Sequence, residues 1–226
     1  IKNLTVNGSV TLNFSSYSSR DVGAAGLVAK LSQDALSGTV VIENCTNNAT
    51  ISVGALNNDT YNSPYGVGGI LGQGMRQHDM EERGWWTDNA VSTNEHSVFR
   101  VSNCTNTGDI EGYNGAGGIV SNTYVRSLYI TNCRINECSI DMKGSNCSVG
   151  GIVGNTENER LVIEDCFVNK ANITNGQYGT GGIVGYYGHT FEYKADAGLT
   201  IKGCNVNNST LQDKSSYGIG GVVGNI

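Results

Sequence analysis

Gly150-Gly151-Ile152-Val153-Gly154 and Gly181-Gly182-Ile183-Val184-Gly185 are the same five residues, and close copies run along the chain. Gly68–Gly72 reads GGILG, Gly117–Ser121 reads GGIVS and Gly220–Gly224 reads GGVVG, with a degenerate copy at Ala25-Gly26-Leu27-Val28-Ala29. Between copies lies a second motif: a β-branched residue, any residue, a small polar residue or Gly, then Cys. It occurs as Ile42-Glu43-Asn44-Cys45, Val101-Ser102-Asn103-Cys104, Ile130-Thr131-Asn132-Cys133, Ile163-Glu164-Asp165-Cys166 and Ile201-Lys202-Gly203-Cys204. Two motifs alternating in fixed order mean stacked supersecondary units, each of which buries its apolar face against its neighbours.

The copies start at residues 25, 68, 117, 150, 181 and 220, giving spacings of 43, 49, 33, 31 and 39. In the two shortest units the Cys falls 16 residues after the first Gly; in the others it falls 20, 36 and 23 residues after. This places the extra length between the glycine motif and the Cys motif, so every insertion is expected to leave one corner of the stack. Short β-branched runs such as Leu128-Tyr129-Ile130 and Leu161-Val162-Ile163 are broken by Asn, Gly, Ser and Thr, without a 3.6-residue apolar period. The fold class expected is all-β: a parallel, right-handed β-solenoid of 31–49-residue repeats, with residues 1–226 a single continuous segment of a larger protein that has incomplete repeats at both of its ends. Whether one unit makes one rung or more is left open by spacing alone. The recurring cysteines Cys45, Cys104, Cys133, Cys166 and Cys204 are expected to stack as small buried fillers, with a bend between each and the β-branched residue before it. Asn-Asn and Asn-Gly pairs are expected to mark corners.

The glycine core, together with Asn103-Cys104-Thr105-Asn106-Thr107-Gly108-Asp109-Ile110, resembles the GLUG repeat. The resemblance covers about residues 20–226. It implies a large extracellular protein, such as an adhesin-like surface protein or the non-catalytic region of a bacterial immunoglobulin A metallopeptidase, and brings no catalytic residues with it.

The chain has 226 residues, 32 Gly, one Pro, 15% charged residues and a net charge of −6. With no run of Lys and Arg, nucleic acid and anionic lipid are not expected partners. No apolar run approaches the ~20 residues that span a bilayer, so no membrane insertion is expected of this segment. Two of the seven cysteines, Cys138 and Cys147, fall outside the ladder within one unit and are candidates for a local disulfide. Acceptor triplets for N-glycosylation begin at Asn3, Asn7, Asn13, Asn48, Asn58, Asn146, Asn172 and Asn208, and also at Asn44, Asn103 and Asn207.

Two insertions carry the candidate ligand-binding residues. The stretch from Gln73 to Asp88 holds Asp79, Glu81, Glu82, Trp85 and Trp86, and the stretch from Tyr186 to Asp196 opens with Tyr186 and Tyr187. Trp and Tyr faces stack on sugars or peptides while carboxylates take their polar groups; the same aromatics can equally fold back to cover the solenoid flank. His78 stands beside Asp79 and near Glu81 on a long insertion, and no nucleophile, phosphate-loop, calcium-repeat or metal-ligand motif is present. No cofactor and no metal is expected. The function expected is a non-catalytic extracellular or cell-surface structural or adhesion module. Its partners would be flanking domains or neighbouring copies at the solenoid ends, and a glycan or protein receptor. The alternatives are a subunit of an extracellular filament and a carbohydrate-active β-helix enzyme.

Overall fold

The computed structural model describes residues 1–13, 23–32, 38–54, 66–75, 97–113, 115–144, 148–188, 198–213 and 217–226. Every regular element among them is a β-strand, and every strand pairing is parallel to the equivalent strand one unit away. The result is the expected parallel solenoid, and it answers the question left open by spacing. One unit closes one turn, and each turn passes through five sheets.

Rung four shows the pattern: Ser127–Thr131 in the first sheet, Arg134–Asn136 in the second, Ser139–Met142 in the third, Ser148–Gly150 in the fourth and Val153–Thr156 in the fifth. Rung three occupies residues 97–124, rung five 160–187 and rung six 198–225. Rung two begins at Gly38–Glu43, and rung one at Thr5–Val6 in the second sheet. Four sheets therefore have six strands and the first has five.

The interior is built by columns. Ile42, Val101, Ile130, Ile163 and Ile201 pair in register down the first sheet, and Ile51, Ile110, Ile140, Ile173 and Leu211 down the third. Burying each such side chain stabilises the fold by about 1.5–3 kcal/mol, which only a rung with neighbours on both sides collects in full.

Between the first and second sheets the chain turns at one residue. Asn3, Asn44, Asn103, Asn132 and Asp165 all take left-handed backbone with φ between 50° and 59°, and Gly203 does so at 65°. Asn, Asp and Gly are the residue types that adopt this conformation at least cost. This is the bend that turns the Ile and the Cys three positions later toward the same interior. The small polar residue or Gly before each Cys is thus a backbone requirement.

The glycine motif is a tight fold-back between the fourth and fifth sheets. A Cβ on Gly68, Gly117, Gly150 or Gly181 would run into the carbonyl oxygen of Leu71, Val120, Val153 or Val184 respectively, three residues on. The second glycine faces across the core to the second sheet, where Gly69 meets Asn106, Gly118 meets Ile135 and Gly151 meets Val168. In the GGIVS copy, Ser121 is buried and its hydroxyl donates to Gly115 O at 2.8 Å.

One expectation is corrected. Connections from the fifth sheet to the first carry residues 33–37, 76–96 and 188–197, but residues 13–22 and 54–65 connect the third sheet to the fourth. Insertions therefore leave two corners. Cys45 lies 23 residues before Gly68, against 13 for Cys104 before Gly117, and that excess belongs to the second corner.

Candidate functional site

The cysteine ladder explains why the residue after the corner is Cys. Each thiol donates to the carbonyl two residues earlier: Cys45 to Glu43 at 3.2 Å, Cys104 to Ser102 at 3.2 Å, Cys133 to Thr131 at 3.4 Å, Cys166 to Glu164 at 3.3 Å and Cys204 to Lys202 at 3.4 Å. The amides of Cys133 and Cys166 donate to the sulfur one rung on, at 3.4 Å each. Cys is small enough for the interior and still supplies a weak donor and acceptor at a bend. All five carry free thiols. Contact with the Cys104 and Cys166 sulfurs, and then burial, pushes the Cys133 thiol well above its ordinary range.

Cys138 has its own place. It stands in a column of small residues formed by Ala49, Gly108, Cys138, Ala171 and Ser209, just before the third sheet. It is a buried free thiol 3.7 Å from the Asn106 amide nitrogen. Burial, and next the Asp109 carboxylate, pushes it up to about 12. Its candidate disulfide partner, Cys147, lies outside the described residues.

Asn47, the first of an Asn-Asn pair expected to mark a corner, is instead a core residue, and Asn106 one rung on shares its place. Both point inward and are fully buried; Asn47 Nδ2 donates to Asn106 Oδ1 at 2.7 Å and to Ala49 O at 3.0 Å, and Asn106 Nδ2 donates to Gly108 O at 2.9 Å. Each amide thus meets partners that a buried polar group requires. The neighbouring Asn48 stays outside and donates to Asn7 Oδ1 at 2.9 Å, while Asn44 donates to Asn3 Oδ1 at 3.1 Å. Of the candidate glycosylation residues, Asn3, Asn7, Asn13, Asn48, Asn172 and Asn208 are exposed, and Asn58 and Asn146 lie outside the described residues.

Of the ligand-binding candidates, Asp79, Glu81, Glu82, Trp85 and Trp86 lie outside the described residues, as does His78. Tyr186 and Tyr187 close the fifth-sheet strand of rung five. Tyr187 belongs to the core: it is 4% exposed, and its hydroxyl donates to Asn158 O at 3.1 Å. Beneath it Arg126 Nε meets Glu159 Oε2 at 3.1 Å, and Val125 N donates to Asn158 Oδ1 at 3.0 Å. Tyr187 is therefore a packing residue that anchors the corner, which removes it from the binding candidates. Tyr186 is half-buried, and burial followed by the Glu157 carboxylate raises its phenol.

Two surface clusters were invisible to motif reading. On the third sheet, Lys143 Nζ stands 2.7 Å from Asp141 and 3.8 Å from Glu111, and Asn175 Nδ2 donates to Asp141 Oδ1 at 2.7 Å. That network is internally satisfied. On the first and second sheets, the Arg100 guanidinium lies over Tyr129 at 4.3 Å from the ring centroid, Arg160 approaches the same ring at 5.8 Å, and Arg134 lies over Phe167 at 5.7 Å. Successive members are one turn apart in sequence and adjacent in space.

Among the described residues, no group of three His, Cys, Asp or Glu is placed to hold a metal ion. No helix among them is long and apolar enough to cross a membrane. Comparison with family models, curated proteins and solved structures finds no match for this chain.

Proposed function

We propose that the chain is a non-catalytic module of an extracellular or cell-surface protein, a rigid solenoid that holds insertion loops at fixed places, as the GLUG-repeat resemblance implies. The observation that supports this most is the contrast between an uninterrupted ladder and variable corners. All five sheets keep register through every described rung, while connections at two corners range from two residues to the stretch 76–96. A scaffold whose body is fixed and whose corners vary is the arrangement by which loops carry recognition. Loop 76–96 brings both tryptophans and joins the corner that Tyr187 anchors, so a glycan or protein receptor is the partner in this reading.

The test replaces Trp85 and Trp86 with Ala in the whole chain and measures binding on a glycan array and to candidate surface receptors. Loss of a wild-type interaction with unchanged circular dichroism is expected; retained binding by the folded variant rejects the loop as the recognition element.

A further inference from the structure

We propose that the solenoid is built of two blocks, rungs one to three and rungs four to six, whose corners between the second and third sheets differ, and that the Asp109 carboxylate is the adapter that joins them. From the second-sheet column that holds Asn47, Asn106 and Ile135 to the third-sheet column that holds Ile51, Ile110 and Ile140, the chain takes four residues on rungs one to three and five on rungs four to six. On each long corner one residue takes left-handed backbone: Glu137 at φ 53°, Lys170 at 51° and Asn208 at 50°. On rungs two and three no corner residue does so. There the inward amide ties the shorter turn, with Asn47 Nδ2 donating to Ala49 O and Asn106 Nδ2 to Gly108 O.

Within the blocks, corners stack through backbone. Thr50 N donates to Gly8 O at 3.0 Å, Asn172 N to Cys138 O at 3.0 Å and Thr210 N to Ala171 O at 2.9 Å, each residue opening its third-sheet strand. Between rungs three and four a long corner lies on a short one, and the pattern changes. Gly108 O accepts from Asn106 Nδ2, while Ser139 N donates to Asp109 Oδ1 at 2.7 Å. A side-chain oxygen in place of a backbone carbonyl is how Asp caps a helix, and the negative charge strengthens the bond. Inside the same joint, Asn106 Nδ2 lies 3.7 Å from Cys138 Sγ. Both adjustments are made by side chains of rung three, and Ile110 stays opposite Ile140 across the joint. Asp109 is thus a positioning residue that lets two unlike turns share one ladder.

Amide hydrogen exchange, read residue by residue in the whole chain, tests the adapter. Asp109→Ala should speed exchange at Ser139 about tenfold and leave Asn172 and Thr210, whose acceptors are backbone carbonyls, at wild-type rates. Asp109→Asn keeps a neutral acceptor and should speed it about threefold. Asn172→Ala, at the same place inside the second block, should leave exchange at Thr210 unchanged. Wild-type exchange at Ser139 in the folded Asp109→Ala chain, or equal acceleration at Ser139, Asn172 and Thr210, overturns the proposal. Should Asp109→Ala fail to fold, Asp109→Asn decides alone: a wild-type rate at Ser139 overturns the adapter, and a faster rate confined to Ser139 upholds it.

Discussion

Rungs four and six carry the same motifs and have different interiors. Ile130 and Cys133 on rung four are wholly buried, whereas their counterparts Ile201 and Cys204 on rung six are half-buried, and Ile219 stands 53% exposed where Val149 is fully enclosed. Sequence pattern decides which side chains point inward; a neighbour on each side decides whether they leave water. Stability in such a body is a sum over rungs and their interfaces, and the end rungs collect one interface instead of two.

The sharpest way to break this comparison uses the second glycine of the repeat. On Gly182 a Cβ would strike Gly221 O, while on Gly221 itself nothing lies within 4 Å. Gly182→Ala should cost about 3 kcal/mol through backbone displacement and Gly221→Ala close to nothing, measured as urea midpoints. Equal effects would mean that the fold-back tolerates displacement and that close packing does not govern the interior rungs. Next in size is the aliphatic column: Ile130→Ala should cost about 3–4 kcal/mol and Ile201→Ala about 1–2 kcal/mol, in proportion to burial. A ratio near one removes the nearest-neighbour account.

The smallest effect is in pH. Cys138 on rung four is raised from 9.0 to about 12 chiefly by burial, while rung six carries Ser209 in that column. A folded thiol that holds its proton more tightly than the unfolded one adds stability in full below 9.0, and that stability is lost as pH rises toward about 12. Urea midpoints at pH 8 and about 10.5 should show a smaller alkaline loss for Cys138→Ala than for the wild-type chain. An identical loss in both would place the alkaline sensitivity elsewhere.

Much of the fold was legible because the repeat is written in residue types with narrow roles. Two glycines followed by Ile-Val mark the fold-back, and a small polar residue before Cys marks the left-handed corner. What was illegible depends on which turn lies above which. Asn47 and Asn48 are adjacent and alike in sequence, yet one fills the core opposite Gly26 and the other faces water. Cys138 looked surplus until its column showed that the position takes any small residue. Arg100, Tyr129 and Arg160 form no local cluster, since register rather than proximity in sequence brings them together. Of the two candidate stretches, only their first residues, Gln73–Met75 and Tyr186–Gly188, fall within the described residues.

Closure of one turn by one unit makes length a countable quantity. Removing the 33 residues from Gly117 to Val149 would join Ala116 to Gly150, splicing two equivalent positions and shortening the rod by a single slice while leaving the joints above and below chemically alike. Slippage between copies in the gene would accordingly alter reach without inventing any new contact, so a lineage could adjust how far its surface features stand from their base by duplication alone.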